Sequence, residues 1–132
     1  MSEHHTIRRV LVVDDEAVVR NGIRRALEGQ AVETTTAANG EEGLGLMEHQ
    51  AFDLVLLDIR MPDMDGISAL REIQRRHPGT RVIMITGYPT IDTAVECTKL
   101  GAQDYLVKPF RLSDLEASLE KIESRETYAP GG

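Results

Sequence analysis

Short apolar runs alternate with helically spaced apolar positions along the whole chain. Val10–Val13 (VLVV) is an uninterrupted apolar run and predicts a buried strand. Over Glu16–Glu28 the apolar residues Val19, Ile23, Ala26 and Leu27 share one helical face, and Gly29 is expected to stop that helix. Val32–Ala37 (VETTTA) is β-branched and alternating, which predicts a second strand near a sheet edge. Asn39, followed three residues later by Glu42, has the form of a capping box for a helix reaching about Gln50. Leu54–Leu57 is the third strand and ends at Asp58. A loop, Met61–Gly66, leads into a helix from Ile67 to about His77, with Ile67, Leu70 and Ile73 inward and Pro78–Gly79 ending it. Val82–Ile85 (VIMI) is the fourth strand, Thr90 caps a helix over Ile91–Leu100, and Gly101 closes it. Asp104–Val107 is the fifth strand, and Leu112, Leu115, Leu119 and Ile122 mark a last amphipathic helix.

Five strand–helix units in sequence predict an α/β fold with a parallel sheet and helices on both faces. Continuous apolar strands fit burial on two sides. The expected strand order is 2-1-3-4-5, and ligands bind at the carboxyl ends of the strands, where that order reverses. One domain over 1–126 is expected, with 127–132 a flexible tail or the start of a linker.

Composition narrows the function classes. A hydrophobic fraction of 41% supports one core. The longest apolar runs are of strand length, far short of the roughly 20 residues of a membrane span. Met1–Thr6 is polar with no apolar stretch behind it, so no secretory signal is expected and the expected location is cytoplasmic. One cysteine, Cys97, excludes an internal disulfide. A net charge of −7 disfavours direct contact with nucleic acid. His4, His5, His49 and His77 are scattered and form no site.

The polar residues at the strand ends carry the chemistry. Asp14 and Asp15 follow strand one, Asp58 ends strand three, Thr86 follows strand four and Lys108 follows strand five. All five therefore fall on one edge of the sheet. Taken singly, the first two could cap a helix, Thr86 could serve a turn, and Lys108 could be solvated. Together, three carboxylates in one crevice repel one another unless a cation sits among them. Hard oxygen ligands without thiolate or imidazole suit Mg²⁺ or Mn²⁺. A single lysine opposite them can hold an anion bridging metal and ammonium, such as a phosphoryl group, to which a threonine hydroxyl can donate.

The stretches Val10–Glu16 (VLVVDDE), Asp53–Gly66 (DLVLLDIRMPDMDG), Ile85–Tyr88 (ITGY) and Gly101–Phe110 (GAQDYLVKPF) resemble a response-regulator receiver domain of two-component signalling. Thr86–Phe110 resembles receivers of the nitrogen-regulator type, which precede sigma-54-interacting ATPase domains. The resemblance implies that Asp58 is the phosphoacceptor. It implies Mg²⁺ held by Asp15, Asp14, Asp58 and the backbone carbonyl of Arg60. It makes Thr86 and Tyr105 the switch pair, Lys108 the phosphoryl-binding lysine, and Lys108–Pro109 a cis bond. A sensor histidine kinase or phosphotransfer protein is the implied donor, and a homodimer through the fourth helix and fifth strand, or the fifth helix, is possible on this resemblance. The output, absent from this chain, is expected to be transcription regulation. Arg60 and Tyr88, two residues beyond Asp58 and Thr86, are candidates for tuning hydrolysis of the acyl phosphate. Asp92, Glu96 and Lys99 on the fourth helix mark the expected output face.

Other readings fit less well. A phosphatase of the haloacid-dehalogenase type needs a second aspartate where Arg60 stands. A flavodoxin would not place acids beside the flavin phosphate. A receiver-like module that no longer takes phosphate would not need Asp15, Asp58, Thr86 and Lys108 intact.

Overall fold

The computed structural model describes residues 7–127. Five strands form one sheet: β1 (Arg9–Val13), β2 (Glu33–Ala37), β3 (Leu54–Asp58), β4 (Arg81–Thr86) and β5 (Asp104–Val107). Five helices connect and follow them: α1 (Ala17–Leu27), α2 (Gly40–His49), α3 (Gly66–Arg76), α4 (Ile91–Lys99) and α5 (Leu112–Thr127). All pairings are parallel and the order is β2-β1-β3-β4-β5, as the sequence predicts. Of the expected tail, Thr127 ends α5, and the rest lies outside the described residues.

The apolar runs divide by parity, because successive strand residues face opposite sides. Leu11, Val13, Val55, Leu57, Val82 and Met84 meet Met47, Leu70, Ile73 and Cys97 from α2, α3 and α4. Val10, Val12, Leu54, Leu56, Ile83 and Ile85 meet Ile23, Leu27, Leu115, Leu119 and Ile122 from α1 and α5. Each fully buried Leu or Ile contributes roughly 1.5–3 kcal/mol, so this double layer fixes the sheet whose edge carries the polar residues.

Several local expectations change. A 3-10 turn over Glu28–Gln30 carries the chain through Gly29, and the left-handed residue is Ala31, at φ 58°. A β-carbon in that conformation costs about 1 kcal/mol. The capping box is displaced. Asn39 accepts the Glu42 N–H at 2.8 Å, but the Glu42 carboxylate reaches the N–H of Ala38 rather than that of Asn39. In α5, Leu112 is 45% exposed while Ser118 is buried. Ser118 turns inward because it donates to Asp104 on β5, which also pairs with Lys121 at 3.1 Å. Thr90 and Gly101 bound α4 as expected, Gly101 at φ 98°.

Candidate functional site

The carboxyl edge of the sheet gathers every strand-end residue singled out in the sequence. Asp58 is the last residue of β3 and Thr86 the last of β4, while Asp14 and Lys108 stand just past β1 and β5. Asp14, Asp58 and Thr86 are buried, with 0%, 3% and 0% exposure. Asp15 is exposed. Each of Asp14, Asp15 and Asp58 offers a carboxylate oxygen within 4.8 Å of the others.

Lys108 binds the acids together. Its Nζ lies 2.8 Å from Asp14 Oδ2, 3.0 Å from Glu16 Oε1 and 3.5 Å from Asp58 Oδ2. Burial opposes the ammonium charge, but the contacts with Asp14 and Glu16 and the negative field of Asp14 and Asp58 hold its pKa above the ordinary lysine value. Asp58 moves up to about 6, first because burial disfavours the carboxylate and then because Asp14 and Asp15 repel it. Lys108 and the Arg60 N–H, which donates to Asp58 Oδ1 at 3.3 Å, pull the other way. The site is thus short of positive charge. Asp14 Oδ2 is paired with the Lys108 ammonium at 2.8 Å and has no second donor among the described residues, and so keeps a lone pair for a cation. Three hard oxygen donors around such a deficit fit a divalent ion of the Mg²⁺ type.

Local structure fixes these side chains. Asp14 Oδ1 accepts the Glu16 N–H at 2.8 Å, and Arg20 donates to the Asp14 carbonyl at 2.9 Å, so the start of α1 is tied to the end of β1. Glu16, not the acid pair, is the N-cap residue of α1. Thr86 Oγ1 accepts the Tyr88 N–H at 3.0 Å, and the Thr86 carbonyl accepts the Lys108 N–H at 2.8 Å. The Lys108–Pro109 bond is cis, as the resemblance implies. Arg60 stacks over the Tyr88 ring at 4.2 Å from its centroid. Beside this edge opens a cleft of about 930 Å³, lined among others by Asp15, Asp58, Arg60, Tyr88 and Lys108, with Val18 and Leu112 on its walls.

The loop after Asp58 is held from two sides. Gly66 donates to the Ile59 carbonyl at 2.6 Å, and a β-carbon there would lie 2.2 Å from the Asp58 carbonyl oxygen. The Asp63 carboxylate accepts the Gly40 and Glu41 N–H groups at 3.1 and 2.8 Å, capping α2 from across the site. Tyr105 stands apart from the acids, with its hydroxyl 2.8 Å from that of Thr93 on α4. On the expected output face, Glu96 is engaged by Arg71 at 2.9 Å.

Sequence reasoning missed Glu16, Asp63 and Thr93. Glu16 had a signal, since it directly follows the acid pair. The other two act across elements and leave no local pattern.

The family model described as "Response regulator receiver domain" matches residues 10–120. The Regulatory protein AtoC of Escherichia coli (strain K12) is 44% identical over 115 residues, covering 87% of this chain and 25% of that protein. The chain spans about a quarter of the length of the curated relatives it matches. Among solved structures, a response regulator receiver domain protein from Methanospirillum hungatei JF-1 superposes with a TM-score of 0.85 at 35% identity, covering 92% of this chain and 98% of that one. The beryllofluoride-activated NtrC4 receiver domain dimer superposes with a TM-score of 0.82 at 34% identity, covering 86% of this chain and 93% of that one. Among the described residues, no helix is long and apolar enough to cross a membrane.

Proposed function

The chain belongs to the response regulator receiver domain family, and from that membership we propose that it is a phosphoryl-accepting switch in a two-component phosphorelay. Asp58 takes a phosphoryl group from a phosphohistidine on a sensor histidine kinase or phosphotransfer protein. The observation that carries this reading is the position of Asp58, buried at a strand end between two further acids and 3.5 Å from the Lys108 ammonium.

A carboxylate oxygen of Asp58 bonds to phosphorus as the P–N bond of the donor breaks, and the bond pair leaves with the imidazole nitrogen. In such transfers the transition state is loose, with charge on the equatorial oxygens, so positioning and fixed charge carry the catalysis. Lys108 supplies a half-buried ammonium to one of those oxygens, and the Thr86 hydroxyl can donate to another. Asp14, Asp15, Asp58 and the Arg60 carbonyl would hold Mg²⁺, which when bound neutralises charge on the transferring group. Arg60 and Tyr88 roof the acceptor, and their stacking sets how readily water reaches the acyl phosphate. Val18, 83% exposed, and Leu112 give the donor protein an apolar foothold beside the cleft.

The phosphoryl group adds about −1.5 to −2 of charge. Thr86 turns toward it and gives up the Tyr88 N–H, and Tyr105 fills the space left behind. That exchange biases the α4–β5 surface between two arrangements. Ile91, Val95 and Val107 are exposed on α4 and β5, and this face or that of α5 would pair two copies of the domain. The output is transcription regulation through parts of a longer protein.

The reading is tested by incubation with acetyl phosphate and Mg²⁺ and by mass measurement of the product. One phosphoryl group per chain is expected, and none on Asp58→Asn. Equal labelling of the variant would remove Asp58 from the role.

A further inference from the structure

A hydroxyl cluster outside the acidic site joins α4 to β5. Thr90 caps α4, its Oγ1 accepting the Thr93 N–H at 3.0 Å. The Thr93 hydroxyl itself lies 3.1 Å from the Thr90 carbonyl, 2.8 Å from the Thr90 hydroxyl and 2.8 Å from the Tyr105 hydroxyl. A hydroxyl donates once and accepts twice. All three contacts are satisfied together when Thr93 donates to the Thr90 carbonyl and accepts from Thr90 and from Tyr105. The cap needs only the Thr93 N–H, so capping does not account for the bond to Tyr105. That bond ties a β5 side chain to the first turn of α4.

Tyr105 is half-buried and pairs with Met84 across the β4–β5 register, two residues before Thr86 pairs with Val107. A Tyr105 ring that moves toward the space vacated by Thr86 must leave Thr93. Resting on the switch reading above, we propose that Thr93 is a positioning residue of the switch: its hydroxyl clasps Tyr105 to α4 in the unphosphorylated domain, and the clasp must open for the domain to turn over to its active arrangement. Release is inexpensive for α4, because Thr93 keeps both contacts with Thr90. The clasp therefore sets the resting balance between the two arrangements without entering the phosphoryl chemistry.

One neutral hydrogen bond corresponds to a shift of roughly threefold to tenfold in a two-state balance. The test titrates the full chain with beryllofluoride and Mg²⁺ and follows amide NMR signals near Asp58 and on α4. Thr93→Val keeps the shape and removes the hydroxyl. It is expected to bind beryllofluoride about threefold to tenfold more tightly than wild type, with free-state α4 signals displaced toward their bound positions. Thr93→Ser, which retains the hydroxyl, should restore wild-type behaviour. In a Tyr105→Phe background the Thr93→Val effect should vanish, since the clasp is already gone; this comparison also serves if Thr93→Val alone weakens the α4 cap. Unchanged or weaker binding by Thr93→Val, or an equal effect in both backgrounds, overturns the clasp. A wild-type chain that ignores beryllofluoride overturns the phosphoacceptor reading instead, so the two failures are distinguishable.

Discussion

Replacing Asp58 with Asn should make the metal-free domain more stable at neutral pH. Asp58 is 3% exposed, and its carboxyl pKa is raised from 3.8 to about 6. A shift of about two units corresponds to about 3 kcal/mol of preference for the protonated form in the fold. The folded carboxyl keeps its proton up to about pH 6, whereas the unfolded one loses it near pH 4. This group's favourable contribution is therefore complete below pH 4 and is lost as pH rises through 6. At pH 7.5 the wild type holds a buried, repelled carboxylate. Asn at that position keeps an oxygen for the Arg60 N–H and carries no charge. The expected gain is up to about 3 kcal/mol, or roughly 10 °C in melting temperature for a domain of this size. Urea and thermal unfolding in EDTA, repeated from pH 4 to 8, measure it. The advantage of the variant should shrink toward pH 4. Mg²⁺ at a hundred times its dissociation constant should stabilise the wild type by about 2.7 kcal/mol and nearly close the gap. A variant no more stable than wild type at pH 7.5, or an advantage independent of pH, would refute the account of Asp58 as a destabilised carboxylate.

Three further outcomes follow from neighbouring contacts. Lys108→Ala should raise the Asp58 pKa above about 6, because Lys108 is a cation that lowers it, and should slow labelling by acetyl phosphate roughly a hundredfold; carboxyl-carbon NMR and a labelling time course read the two effects. Asp63→Ala removes the acceptor of the Gly40 and Glu41 N–H groups and should cost about 1 kcal/mol in urea unfolding. Gly66→Ala sets a β-carbon against the Asp58 carbonyl and the Ile59 Cα, backbone that cannot give way; a loss of about 3 kcal/mol is expected, together with failure to bind beryllofluoride by NMR.

The sheet was legible because parallel strands buried on both faces read as unbroken apolar runs. Val10–Val13 and Leu54–Leu57 have no other economical explanation. The site was legible because topology turns strand ends into neighbours, so Asp14, Asp58, Thr86 and Lys108 could be placed together without knowing a distance. What escaped was set by contacts between elements. Ser118 reads as a surface residue of α5 until Asp104 is known to lie beneath it. Gly29 does mark the stop of α1, which ends at Leu27, but a 3-10 turn follows and the left-handed conformation falls on Ala31. The Glu16–Lys108 bond joins residues 92 apart, beyond the reach of any periodicity.

The lateness of β5 has a consequence for how the chain becomes functional. Lys108 is the last contributor to leave the ribosome, and it is the cation that bridges Asp14, Glu16 and Asp58. A nascent chain that ends before β5 brings its acids together with no ammonium between them, so their mutual repulsion works against early closure of that end of the sheet. Arrival of Lys108 offsets part of the repulsion and supplies a cation to the acids in one step. On the switch reading proposed above, the complete phosphoryl site is therefore assembled only once synthesis has passed β5.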